Sequence, residues 1–219
     1  AKYISPDTTH IDKNCIVFDT AQLDTFQQAK HHCAMSELNQ LLRDIEQAES
    51  SSLARKDWQP RYSGVIDIRI ASDGTWYHEG RAIQRESLTR LFASVLRKQD
   101  DEYFLLTPAE KLSIRVDDAP FVATMLEIFN EAGQQALVFT TNLGEKIVAD
   151  SAHPIRVEID AANREPRPYI HFRDGLDALI SRTASFDLAN MAETIERDGR
   201  MHLTVSSMGV DFDLGCADE

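Results

Sequence analysis

The chain reads as an α+β fold made of duplicated hairpin–helix–hairpin units with mostly antiparallel sheets. Three observations predict this. Segments with the two-residue alternation of half-buried strands come in pairs, and a Gly- or Pro-bearing turn joins each pair. One amphipathic stretch, with Leu88, Leu91, Phe92, Val95 and Leu96 a helical turn apart, separates the first two pairs. The same order of elements then returns in the second half, at so low an identity that the order and not the letters carries the repeat. With 219 residues, 42% hydrophobic and 27% charged, the chain has ample material for a buried core.

Residues 1–34 carry no clear pattern and read as an extension to the folded part. A leading helix is expected over 35–57: Ser36 opens it, and Leu38, Leu41, Leu42 and Ile45 share one face. The N-terminal α+β unit spans 58–118. Its first hairpin runs through Val65–Ile70, turns at Ser72-Asp73-Gly74 and returns through Thr75–His78; Gly74 is free to take the positive φ such a turn needs. The helix follows and is expected to end at Asp100-Asp101. A second hairpin, Tyr103–Leu106 and Lys111–Val116, turns at Thr107-Pro108-Ala109.

The C-terminal α+β unit spans 119–219. It opens with Leu137–Thr140, a turn at Asn142-Leu143-Gly144 and a return through Lys146–Val148. Strands at Ile155–Ile159 and Tyr169–Phe172 follow, then a helix from about Leu176 to Ile195. Met201–Val205 and Val210–Leu214 close the chain about a turn at Ser206–Gly209. In this alignment of the repeat, Leu105–Lys111 corresponds to Leu203–Gly209.

A net charge of −13 argues against broad attraction to nucleic acid or to an anionic membrane. No apolar run is long enough to cross a bilayer, and the first residues lack the basic and apolar regions of a signal peptide. Three scattered cysteines do not make a disulfide framework. The expected location is the cytoplasm. From Trp58 to Phe121 there are nine Arg or Lys and ten Asp or Glu, a net of −1 that leaves −12 to the flanks. A local cationic site therefore has room here, with Arg69, Arg81, Arg85, Lys111 and Arg115 as its candidates.

Trp76 and Tyr77 follow the first turn on a strand, so they face opposite ways. Beside Arg69 and Arg81 an exposed ring would stack a base while guanidinium groups take phosphate or carboxylate. The other reading, that Trp76 caps the core, is the one its size favours. Lys111 and Arg115 share one strand face with Ser113 between them, which is either an anion row or the solvated side of a sheet resting on Leu112 and Ile114. Asp117-Asp118 reads as a boundary turn before Pro120 rather than a metal site, because no spaced acidic motif surrounds it. His31-His32-Cys33 fits no zinc spacing. There is no Gly-rich phosphate loop, no nucleophile elbow and no other catalytic motif, and no cofactor is expected.

Trp58-Gln59-Pro60, Asp73-Gly74-Thr75-Trp76, Arg81-Ala82-Ile83-Gln84-Arg85, Thr107-Pro108 with Glu110-Lys111, and Val116–Phe121 together resemble the bacterial domain-of-unknown-function family 1285. Thr141-Asn142, His153-Pro154, Pro168-Tyr169, Gly175-Leu176 and Arg182 extend the likeness, which runs from about Ser36 to Gly215. The resemblance implies a duplicated α+β fold whose C-terminal half is loosely similar to pleckstrin-homology domains. It also implies a signalling role, with a nucleotide-like ligand at the junction of the halves, but no reaction.

The functional expectation is a ligand-binding or signalling module for a small anionic ligand at the junction of the two units. Arg69, Arg81, Lys111 and Arg115 would supply charge and Trp76 or Tyr77 a stacking face. The alternative is a protein-interaction module without a small-molecule ligand.

Overall fold

A computed structural model describes residues 58, 60, 62–131, 134–197 and 199–216. The extension expected over 1–34 and the helix expected over 35–57 lie outside the described residues. The first part of the described chain runs β1 (Tyr62–Ile70), β2 (Trp76–His78), β3 (Arg81–Ala82), α1 (Glu86–Val95), β4 (Leu96–Gln99), β5 (Glu102–Leu106) and β6 (Glu110–Val116). These strands form one sheet in the order β3-β2-β1-β6-β5-β4. On β1, Ile66, Ile68 and Ile70 are buried while Asp67 and Arg69 face outward, the alternation a one-sided core demands. Trp76 and Phe92 of α1 stack in that core with ring centres 6.0 Å apart. Burying a side chain of this size contributes about 1.5–3 kcal/mol.

The second part runs β7 (Phe121–Glu131), β8 (Gln134–Thr141), β9 (Lys146–Val148), β10 (Ile155–Ile159), β11 (Pro166–Arg173) and β12 (Leu176–Ile180). Helix α2 (Arg182–Asn190) follows, then β13 (Glu193–Arg197), β14 (Arg200–Ser207) and β15 (Val210–Cys216). The second sheet has the order β10-β11-β12-β7-β8-β9. Read from its other end, this is the order of the first sheet. In each, the two central strands are parallel, β1 with β6 and β7 with β12, and every other neighbouring pair is antiparallel. The described residues are mostly strand, with two helices, so the helical share is smaller than the α+β expectation held.

The repeat therefore lies in strand order, and its alignment differs from the expected one. Leu203–Ser207 belong to a third sheet, β13-β14-β15, while the topological counterparts of β4–β6 are β10–β12. The helices do not correspond: α1 joins the third strand to the fourth, whereas α2 follows the sixth.

Three elements depart from expectation. Strand β7 went unread because Met125, Leu126, Ile128 and Phe129 fall at helix-like spacing on what is an extended segment. The helix expected from Leu176 to Ile195 is strand, helix and strand. Leu176, Ile180, Ala184 and Leu188 are four apart, which suits either period, but Ser181 divides them by accepting a hydrogen bond from Ala184 N as an N-cap. Helix α1 ends at Val95, not at Asp100-Asp101. That pair forms the β4–β5 turn, with φ of 50° and 65°, values Asp tolerates better than most residues.

The third sheet docks on β8 through a buried hydroxyl. Ser207 Oγ accepts from Leu137 N at 2.9 Å and donates to Ala149 O at 2.6 Å. Beside it Gln135 Nε2 donates to Ser206 O, and Met208 N to Gln135 O. No helix among the described residues is long and apolar enough to cross a membrane.

Candidate functional site

The residues expected to bind an anion do not gather at one cleft. Tyr77, Arg69 and Arg115 stand opposite one another across β2, β1 and β6. Arg69 lies over the Tyr77 ring, 4.8 Å from its centre, and pairs with Asp117 at 2.6 Å. Arg115 pairs with Asp67 at 2.8 Å. This outer face is thus a crosswise set of ion pairs, each arginine already compensated. Pairs this exposed contribute about 0–1 kcal/mol apiece.

Lys111 stands further along the sheet, opposite Ser63. Its Nζ lies 4.1 Å from the centre of the Phe104 ring and 3.2 Å from Gln99 Oε1. Arg81 is exposed on β3, the edge strand, across from His78, and Arg85 is exposed at the start of α1. Trp76 is 1% exposed, so it packs the core and presents no ring to a ligand. Of the two neighbouring aromatics, Tyr77 is the one with an accessible face.

The junction of the two sheets holds a different set of polar residues. Asp118, between β6 and β7, accepts from the Tyr169 hydroxyl at 2.8 Å and from Arg167, which also reaches Asp160. Desolvation, with the bond to the Asp118 carboxylate, pushes the Tyr169 phenol up to about 12. Arg156 covers the Tyr169 ring and pairs with Glu158 and with Asp177, which also meets His171 Nδ1 at 3.0 Å. Asp118 is therefore the anchor of a charged network. Among the described residues no cluster of His, Cys, Asp and Glu could hold a metal ion.

A cleft of about 240 Å³ opens on the same junction. Helix α1 contributes Arg90, Ala93 and Ser94; the β8–β9 turn contributes Leu143, Gly144 and Glu145; β11 contributes Arg173. Arg173 crosses from the second sheet to donate to Ala93 O at 2.9 Å, pairs with Glu145 at 2.9 Å, and lies over the Phe172 and Phe121 rings. Arg90 pairs with Glu86 one helical turn away, where both side chains are more than half exposed. Glu145 Oε2 is buried with no hydrogen-bond partner. Gly144 is required at the cleft wall: its φ is +84°, and a Cβ there would stand 3.2 Å from Arg90 Nη2. Two guanidinium groups, each with one carboxylate partner, and one carboxylate oxygen short of a donor thus share a small, partly open space. Such a set suits a ligand that carries an anionic group and a hydrogen-bond donor.

Sequence reasoning did not single out Arg90 or Arg173. Arg90 reads as the partner of Glu86 on a solvated helix face, and Arg173 as a strand end before Gly175. Only the docking of α1 against the β8–β9 turn brings them together.

Two family models match the chain: the domain of unknown function DUF1285, N-terminal domain, over residues 55–119, and the protein of unknown function DUF1285, C-terminal domain, over residues 120–214. The chain is 42% identical to a DUF1285 family protein of known structure from Silicibacter pomeroyi DSS-3, with a TM-score of 0.69, over 76% of this chain and 88% of that one. A DUF1285 family protein from Shewanella baltica OS155 is 27% identical with a TM-score of 0.47, over 57% of this chain and 92% of that one. No curated protein matches.

Proposed function

The chain belongs to the DUF1285 family, whose function is unknown, and on that footing we propose that it binds a small anionic ligand in the cleft between its two six-stranded sheets. One observation carries this reading: Arg90 and Arg173, from different sheets' elements, line the same cleft. The volume of about 240 Å³ takes a phosphate or carboxylate group with a few attached atoms, so a nucleotide would seat its phosphate there and extend over the open rim. A hydroxyl or amino group on the ligand would satisfy Glu145 Oε2. The module is a binder of the signalling kind, with ligand occupancy stiffening the contact between α1 and the β8–β9 turn.

Isothermal titration with inorganic phosphate and with nucleoside monophosphates tests this. Arg90→Gln removes a cation whose present ion pair is exposed, so folding is unchanged and affinity falls about tenfold, the equivalent of 1.4 kcal/mol. Arg115→Ala, on the compensated outer face, leaves binding as in the wild type. Binding of neither probe, or binding that Arg90→Gln does not weaken, refutes the cleft.

A second reading, a protein-interaction module of the pleckstrin-like kind, draws on one observation. Strand β7 exposes Met125, Ile128 and Phe129, and α2, which lies against it, exposes Phe186 at 67%. Apolar side chains concentrated on one element and its neighbour suit a partner better than solvent.

A further inference from the structure

The third sheet holds a constellation that the ligand cleft does not use. His202 on β14 and Cys216 on β15 are direct cross-strand partners, so their side chains leave the sheet on one face. Cys216 Sγ lies 3.9 Å from His202 Nε2. On the other side of the ring, His202 Nδ1 lies 2.8 Å from Asp213 Oδ2. Alternation alone would not bring Asp213 there. The register slips between Leu203 and Thr204, which pair with Gly215 and Asp213, so Leu214 is the extra residue. Gly215 takes a φ of +115° and donates its N–H to Asp213 Oδ1 at 2.9 Å. This bulge re-aims the carboxylate onto the imidazole. Arg197 pairs with the same carboxylate at 3.3 Å.

The order is that of an activated nucleophile: a thiol, a base within reach of it, and a carboxylate that holds the base in one tautomer. With Asp213 accepting the Nδ1 proton, the Nε2 lone pair faces the thiol. A space of about 850 Å³ opens beside it, between edge strand β10 and the third sheet. Cys216 and Asp213 line it, with Val157, Ile159, Leu203 and Leu214 as apolar wall. Arg164, which has no ion pair among the described residues, stands at this space as a cation. An extended apolar group fits such a cavity, and an anionic carrier fits Arg164.

We propose that Cys216 is a nucleophile that accepts an apolar acyl group from an acyl thioester, with His202 as its base and Asp213 as the residue that positions His202. The thiol proton passes to His202 Nε2 and the thiolate attacks the thioester carbonyl, forming a new carbon–sulfur bond. The tetrahedral adduct collapses, the bond to the leaving thiolate breaks, and that thiolate takes the proton back from His202. Nothing is oxidised or reduced, and the acyl group ends on Cys216.

The 219-residue chain incubated with the octanoyl and the acetyl thioesters of N-acetylcysteamine tests this, with intact-mass kinetics and peptide mapping. One acyl group should appear on Cys216, faster from the octanoyl than from the acetyl donor, and none at that peptide in Cys216→Ser. His202→Gln should slow acylation at least about a hundredfold, the lower end of what a positioned base supplies, and shift its pH profile toward that of a free thiol. Asp213→Asn should slow it less, with the pH dependence retained; it decides the case should His202→Gln fail to fold. Acylation spread equally over Cys15, Cys33 and Cys216, or an unchanged rate in both variants, overturns the proposal.

Discussion

Replacement of Gly74 by alanine probes the seam between the two sheets. Gly74, in the β1–β2 turn, has φ +81°, and a Cβ there would stand 2.6 Å from Asn142 Nδ2 and 3.1 Å from Val122 Cγ2. The Asn142 amide donates to Gly74 O at 3.3 Å and accepts from Val122 N at 3.1 Å. The left-handed conformation costs a residue with a Cβ about 1–2 kcal/mol. Displacing the Asn142 amide strands the part-buried Val122 N–H and loses the bond to Gly74 O, together about 3 kcal/mol. Gly74→Ala should therefore destabilise by about 4–5 kcal/mol. Asn142→Ala loses the same two bonds and should cost about 3 kcal/mol. In the double variant the clash has no target, so only the strain is added. The total should stay near 4–5 kcal/mol and fall short of the additive sum by about 3 kcal/mol. Urea unfolding of the four proteins, monitored by tryptophan fluorescence, measures this coupling. Additivity within about 0.5 kcal/mol would mean that the two turns do not bear on each other, and the reasoning would fail.

Two further outcomes follow from single groups. Ser207→Ala leaves Leu137 N–H and Ala149 C=O unpaired in a buried site, so stability should drop by about 2–4 kcal/mol; Ser207→Thr, which keeps the hydroxyl but adds a methyl to a filled space, separates bonding from packing in the same urea assay. Asp73 sits below its ordinary 3.8 because the Thr75 N–H bonds its carboxylate. Burial alone would raise Asp150, but bonds from His153 and Ala152 outweigh it and lower that carboxyl too. A carboxyl lowered in the folded state stabilises at pH above its unfolded value and loses that contribution as pH falls through the folded one. The wild type should accordingly lose stability below about pH 4, and Asp73→Asn with Asp150→Asn should flatten that loss; an equal loss in the double variant would exclude these two turns as its source.

Strands were legible where alternation or a turn signal marked them. Ile66, Ile68 and Ile70 alternate with polar neighbours because only one sheet face meets the core, and β1 and β6 were read from that period, whereas β2, β5, β8 and β15 were read as the segments that flank turns. Segments that suit both periods were not legible. Leu176, Ile180, Ala184 and Leu188 fit a helix until the Ser181 cap is seen to divide them. Sheet order lay beyond the letters altogether. The parallel contact of β1 with β6 joins segments far apart in sequence, and nothing local marks it.

The same reason separates the expected site from the observed cleft. The parallel pairing of β1 with β6 sets Arg69 opposite Arg115, but Asp67 and Asp117 alternate with them on the same face and meet the charge. A sequence shows which residues share a face more readily than which carboxylates lie diagonally across it. Arg173 escapes that fate only in part: Glu145 takes one of its donors, Ala93 O another, and the aromatic rings of Phe121 and Phe172 hold the guanidinium in place. Its position is set by the fold and does not depend on a ligand, whereas Arg90 is held by a single ion pair to exposed Glu86. On the proposed reading, an anion between Arg173, held by several contacts, and Arg90, held by one exposed ion pair, would draw α1 toward the β8–β9 turn, and Arg90 is then the residue whose loss should separate binding from folding.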